Sequence, residues 1–210
     1  MLTLYSYFRS SAAYRVRIAL NVKKIEYDLV AINLVNNEQN SAQYLAINPQ
    51  GLLPSLRLED GAVVSQSTAI LELLEESYPE QALYPTDAIA KAHVRSLCNI
   101  IACDIHPLNN LRVLKHLTTE LGVSDEEKLS WYHYWIDLGF TSIENQLSCS
   151  PYAMGSVVTM ADIYLIPQVY NALRFGQNMT KYPKIMAVYD ACNKLDAFKA
   201  AAPESQPDAK

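Results

Sequence analysis

The sequence predicts an α/β domain over residues 1–80 and, beyond a linker at 81–87, an all-α domain over 88–210. Three observations predict it. Up to Pro79, β-rich runs alternate with segments whose apolar residues recur at helical spacing. After Pro79 only the helical period continues. Glycine is scarce, 6 residues in 210, against a usual share of about 7%, which argues against an all-β chain rich in tight turns.

Each element has its own justification. Residues 2–7 alternate and read as a strand. From Ala12 to Val22, Ala13, Val16, Ala19 and Leu20 recur with helical spacing. Residues 27–34 are β-rich, and a weaker helical segment covers 38–46. Ser55–Leu58 and Ala62–Val64 read as short strands joined by Glu59-Asp60-Gly61, a hairpin signal. Ser67–Ser77 is a helix with Ala69, Ile70, Leu73 and Leu74 on one face, stopped by Pro79. A parallel crossover unit followed by a hairpin and a closing helix is the thioredoxin-like layout, a small α/β sandwich. Helical patterns then cover Asp87 to Thr118, with Pro107 as an internal kink, and Ser124–Leu147. Two more cover Met160–Leu173, with Pro167 inside, and Pro183–Leu195. Thr159-Met160-Ala161-Asp162 reads as a capping box that starts the third of these helices. From Ala200 the chain is expected to wrap over the body or to fray.

Composition excludes several classes. Half of the chain is hydrophobic and 19% is charged, which rules out intrinsic disorder. The net charge is −5, with no basic or acidic tail, so there is no bulk electrostatic footprint for nucleic acid. No apolar stretch approaches the length of a membrane span, and the N-terminus reads as a strand rather than a signal peptide. The four cysteines, Cys98, Cys103, Cys149 and Cys192, form no C-x-x-C, and no His/Cys cluster has zinc spacing. They read as buried or free thiols in a reducing cytoplasm, with no metal expected.

Specific residues sharpen the picture. Ser10-Ser11-Ala12-Ala13-Tyr14-Arg15-Val16-Arg17-Ile18-Ala19-Leu20 resembles the zeta-class glutathione transferase signature, Ser-Ser-Cys-x-Trp-Arg-Val-Arg-Ile-Ala-Leu. Asn48-Pro49 followed by Leu53-Pro54, the pair Gln66-Ser67, and Thr159–Asp162 resemble other motifs of that superfamily. The likeness spans about residues 2–207. It implies the cytosolic glutathione transferase fold and the maleylacetoacetate isomerase family, with maleylpyruvate isomerase as a near relative. Ala12 stands where the family carries cysteine, so no role for that thiol applies here. Tyr14 replaces the tryptophan.

What the resemblance implies is a glutathione-dependent cis–trans isomerase that converts maleylacetoacetate to fumarylacetoacetate. The catalytic set is Ser10, Ser11 and Arg15. Both serines lie where the first strand gives way to the first helix, whose end presents free amides and about half a positive charge. A thiolate is stabilised there, and a hydroxyl adds a charge-assisted hydrogen bond. The plainer alternative is that either serine merely caps the helix. Glutathione is the implied cofactor. Gln66 and Ser67 suit its γ-glutamyl carboxylate, the Leu53 backbone before a cis proline suits its cysteinyl backbone, and Gln39 corresponds to a contact at its other end. His106, Asn109 and Asn110 are counted with this glutathione-binding set as polar partners in the same cleft. Arg9, Arg112 and Arg174 are the substrate set, because guanidinium pairs with carboxylate in a bidentate fork and the substrate is a small anion with two carboxylates. Singly, each arginine also reads as a solvated surface charge.

The resemblance further implies a two-fold homodimer, while the thiols point to a cytoplasmic location and the charge and short apolar stretches to no nucleic-acid or membrane partner. Segment 103–110 resembles the maleylpyruvate branch, which leaves that substrate open. A generalist transferase and a non-catalytic binding module are the remaining alternatives.

Overall fold

The computed structural model describes residues 1–209. The chain divides into two compact units, Met1–Ala82 with Asn193–Lys210, and Leu83–Cys192. The first thus takes back the last stretch of chain, which the sequence assigns to the helical region.

In the first unit β1 (Leu2–Ser6), β2 (Tyr27–Ala31), β3 (Ser55–Arg57) and β4 (Val63–Ser65) form one sheet in the order β2-β1-β3-β4. β1 runs parallel to β2 and antiparallel to β3, and β3 is antiparallel to β4. This is the expected crossover unit followed by a hairpin. β1 is buried at four of its five positions rather than at alternate ones, because a central strand is covered on both faces. In its register Leu4 stands opposite Leu56, and neither is exposed. Each such burial contributes about 1.5–3 kcal/mol.

α1 (Ser11–Val22) has ten consecutive buried residues, Ser11 to Leu20. It packs against α3 (Ser67–Ser77) and α9 (Asp196–Ala201). Lys23, just past α1, donates through Nζ to the carbonyls of Tyr78 (2.8 Å) and Gln81 (2.9 Å) and pairs with Glu75 at 2.7 Å. The weak helix read over 38–46 is two short pieces, a 3₁₀ turn at Glu38–Asn40 and α2 (Ala42–Leu45). Leu53–Pro54 is cis, and so is Ser150–Pro151.

The second unit is helical: α4 (Ala88–Asn99), α5 (Leu111–Thr119), α6 (Asp125–Gln146), α7 (Met160–Arg174) and α8 (Pro183–Cys192). The expected kinked helix from Asp87 to Thr118 is instead broken. α4 ends at Asn99, a π-type stretch covers Ile100–Ile105, and a turn carries the chain to α5. Pro107 supplies no N–H to continue the ladder, and Asn110 caps a fresh helix by accepting from the Arg112 amide at 3.0 Å. Likewise the pattern read over 183–195 ends at Cys192 and restarts as α9, which belongs to the first unit.

α7 is the core helix, buried continuously from Met160 to Val169 despite Pro167. Asp162 anchors its start. Its carboxylate accepts from the Thr159 amide (2.8 Å) and hydroxyl (3.1 Å) and from the Ala153 amide (2.8 Å). Burial nevertheless pushes this carboxyl above its ordinary pKa, and the hydrogen bonds only partly oppose it. α6 begins with a second capping box, Ser124 with Glu127, at 2.9 and 3.2 Å. Gly139 lies where α6 meets the π-type stretch, and a Cβ there would overlap the buried Ile105 side chain.

No helix among the described residues is long and apolar enough to cross a membrane.

Candidate functional site

The loop from β1 to α1 delivers the two serines. Ser10 is the N-cap of α1: its backbone is extended and its Oγ accepts from the Ala13 amide at 3.3 Å. Its own amide donates to the Tyr7 carbonyl at 2.9 Å, which closes the loop into a turn. Ser11 is the first residue of the helix and is buried. The capping role and the anion-binding role are therefore both open to Ser10. Arg9 beside them is exposed, its guanidinium 4.8 Å from the Phe8 ring centroid.

α1 and α3 present their N-termini in the same unit and are joined by Arg15. This side chain is buried, and its Nη1 donates to Ser67 Oγ at 3.3 Å. Ser67 is the first helical residue of α3 and not its cap. The cap position is Gln66, with φ of 72° and no side-chain capping bond. That geometry leaves the Gln66 amide group facing elsewhere, and its Nε2 donates to Gln50 Oε1 at 2.8 Å. Gln50 is missed by sequence reasoning. Its only signal is its place in Asn48-Pro49-Gln50-Gly51.

That turn is tightly held. Asn48 donates through Nδ2 to the Leu52 carbonyl at 2.8 Å and accepts from the Gln50 amide at 3.1 Å. The Tyr44 hydroxyl, its pKa raised chiefly by burial, also donates to the Leu52 carbonyl, at 2.7 Å. Gly51, at φ 60°, lies so close that a Cβ would stand 2.8 Å from Asn40 Oδ1 and 3.2 Å from the Gln39 carbonyl. This brings the Gln39 turn against the 48–52 turn. Gln39 donates to Asn37 Oδ1 at 3.1 Å, while its Oε1 is buried without a partner. Leu53 follows directly, outside β3. Its N–H and C=O pair with nothing among the described residues, which leaves a peptide edge of the kind an added strand uses.

The other candidates belong to the second unit. His106 ends the π-type stretch, its amide bonded to the Ile101 carbonyl at 2.9 Å. Asn109 donates to the Tyr132 carbonyl at 3.1 Å, and Trp131 Nε1 to the Leu108 carbonyl at 2.9 Å, so α6 holds the 106–110 turn. Asn110 spends its side-chain oxygen on the α5 cap. Arg112 is exposed in the first turn of α5. Arg174 ends α7, 4.6 Å from the Phe175 ring, and its charge opposes the burial that raises the Tyr132 pKa. Arg9 belongs to the first unit and Arg112 and Arg174 to the second.

Chemically, the first unit offers two helix N-termini, three serine hydroxyls, an unpaired peptide edge and several amide side chains. That set fits a peptide-like anion carrying a carboxylate at one end and a second negative centre at Ser10 and Ser11. Glutathione has this pattern of groups: a γ-glutamyl carboxylate, a cysteinyl backbone and a thiolate. Among the described residues no group of three or more His, Cys, Asp or Glu side chains could hold a metal.

Residues 4–82 match the glutathione S-transferase N-terminal domain. The chain is 46% identical to a probable maleylacetoacetate isomerase from Vibrio cholerae, over 99% of this chain and 98% of that one. A bacterial maleylpyruvate isomerase of the zeta class superposes with a TM-score of 0.94 at 44% identity, covering 99% of this chain and 100% of the other. A maleylacetoacetate isomerase from Methylobacterium extorquens AM1, solved with malonate and glutathione bound, has a TM-score of 0.93 at 36% identity, with 99% of each chain covered.

Proposed function

The chain belongs to the glutathione S-transferase family, and on that premise we propose that it is a glutathione-dependent cis–trans isomerase acting on maleylacetoacetate to give fumarylacetoacetate. The observation that carries the reading is the N-terminus of α1, where Ser10 caps the helix and buried Ser11 begins it. Bound at the α1 and α3 helix starts, glutathione would supply the nucleophilic thiolate for reversible addition to a conjugated alkene, the chemistry that permits rotation about that bond.

The chain's own residues do the rest. The α1 amides and the serine hydroxyls hold the sulfur in its anionic form at neutral pH. Arg15 keeps the Ser67 hydroxyl in place, and Ser67 with the amides of α3 receives the γ-glutamyl carboxylate. Leu53 pairs through its backbone, and Gln66 and Gln39 complete the polar lining in the first unit, while His106, Asn109 and Asn110 are the polar candidates of the second. Arg9, Arg112 and Arg174 hold the substrate carboxylates and the enolate charge that builds up during addition. In the cell the enzyme is a cytoplasmic two-fold homodimer. Sedimentation at the mass of a single chain would remove the dimer.

A second reading, maleylpyruvate isomerase, is favoured by the TM-score of 0.94 to an enzyme of that name. Assaying maleylacetoacetate and maleylpyruvate side by side with catalytic glutathione tests both. Product formation without net loss of glutathione is expected, fastest with maleylacetoacetate. Stoichiometric loss of glutathione would make the protein a conjugating transferase, and no product from either acid would end the isomerase reading.

A further inference from the structure

The Phe8 peptide, two residues ahead of Ser10, is gripped at both ends. Its N–H donates to Asp208 Oδ2 at 3.0 Å, and its C=O accepts from Arg17 Nη2 at 3.0 Å. Arg17 is wholly buried. Its Nη1 donates to Ser6 Oγ at 3.0 Å and to the Tyr7 carbonyl at 3.4 Å, and its Nε to the Ala201 carbonyl at 2.9 Å. A buried guanidinium is costly unless its N–H groups find acceptors. One ion therefore ties Ser6 at the end of β1, and Tyr7 and Phe8 of the β1–α1 loop, to the end of α9. The Tyr7 carbonyl also accepts the Ser10 amide, so only Arg9 lies between the grip and the N-cap.

The far side of the grip is itself braced. Ser205 Oγ donates to the Lys199 carbonyl at 2.8 Å, and Gln206 Nε2 to the carbonyls of Ala200 and Ala202 at 2.8 and 2.9 Å. These side chains satisfy the open carbonyls at the end of α9 and turn the chain so that Asp208 reaches Phe8. Asn21 of α1 adds a bond to the Ala197 carbonyl at 3.1 Å. Residues 196–208 thus form a strap that runs along α1 from Asn21 near its end, past Arg17, to Phe8 in the loop before it.

We propose that Asp208 and Arg17 are positioning residues: the C-terminal strap clamps the Phe8 peptide so that the Ser10–Ser11 helix start is held in the geometry that binds the sulfur of glutathione. This rests on the glutathione reading above. Donors aimed at an anion work because they are fixed beforehand, and a misplacement of about 1 Å can cost on the order of a hundredfold.

The test compares wild type with Asp208→Ala and Asp208→Asn. It reads backbone amide exchange over residues 7–13 without ligand, the dissociation constant for glutathione, and the ultraviolet thiolate absorbance of the bound tripeptide at neutral pH. Asp208→Ala is expected to speed exchange in the loop, weaken glutathione about tenfold and lower the thiolate signal. Asp208→Asn keeps an oxygen for the Phe8 amide but not the charge, and is expected to restore exchange and affinity and to bring the thiolate signal to the wild-type level or above it. The sign is informative, because removing a negative charge without moving the loop would raise the thiolate signal. Wild type that binds glutathione, with Asp208→Ala unchanged in exchange, affinity or thiolate signal, overturns the clamp alone. A thiolate signal that rises in Asp208→Ala does the same. Wild type that does not bind glutathione overturns the reading beneath it as well.

Discussion

Arg15 and Ser67 stand 52 positions apart in the chain, yet the guanidinium of the first donates to the hydroxyl of the second at 3.3 Å inside the first unit. The bond couples the start of α3 to the body of α1. Both partners are buried, so the hydroxyl is an acceptor that Arg15 cannot replace with water. Ser67→Ala is expected to cost about 1.5–3 kcal/mol of stability, the range for a hydrogen bond to a charged group, and to weaken glutathione as well. Urea midpoints and calorimetric titration check the two effects. A variant that keeps its stability would show that the contact contributes nothing to the fold.

Ser10 and Ser11 are separable by stability. Ser10 caps α1 through Oγ and Ser11 does not. Ser10→Ala is expected to lose about 1 kcal/mol of stability together with activity. Ser11→Ala is expected to lower kcat by roughly a hundredfold at a smaller cost to the fold. Turnover measured beside a denaturation curve for each variant decides it. An undiminished kcat in Ser11→Ala would move the thiolate-stabilising role to Ser10 and the backbone amides.

In the second unit the Tyr182 hydroxyl first, and then Lys181, hold the Asp137 carboxyl below the usual carboxylate range. Tyr182 is pushed up to about 12, by burial first and then by the same hydrogen bond. A depressed folded value means that the stabilisation is present above the unfolded value of about 3.9 and is lost as pH falls through the folded one. With the Asp137 side chain 40% exposed, solvent screening keeps it below about 1 kcal/mol. Asp137→Asn should therefore be less stable than wild type at neutral pH, with the gap closing in strong acid. Chemical denaturation at several pH values measures that gap, and one independent of pH would contradict the assignment.

Gly139→Ala should destabilise the protein by about 1–3 kcal/mol, the ordinary cost of overpacking a filled core. The added methyl meets Ile105, which is itself wholly buried. A thermal midpoint equal to wild type would mean that the π-type stretch yields easily. Gly139→Ala combined with Ile105→Val should recover part of the loss, because the two sites share one space.

Much of the candidate site is legible in the chain. Ser10, Ser11, Gln66 and Ser67 sit at helix starts, and helix starts carry local marks in residue type and spacing. The signature around Arg15 and Arg17 could be read as well, although not what either guanidinium touches. Gln50 and Gly51 escaped notice, because a turn that brings Gln39 near Leu53 depends on close backbone approach, which no periodicity encodes. At 100–110 the sequence predicts a kink where the structure has a break. A proline inside an apolar helical pattern signals interruption, and only the cap made by Asn110 shows that a new helix begins.

The sequence by itself determined the order and kind of the elements and the positions where helices expose their amides. Those depend on apolar spacing, capping side chains and proline, all within a few residues of one another. Only the tertiary structure decided that Ser67 answers Arg15, that the chain's last residues return to the first unit, and that Asp208 grips Phe8 from 200 positions away. Such pairings come from burying charged and polar groups where they must find partners, and a partner distant in the chain leaves no trace in local pattern.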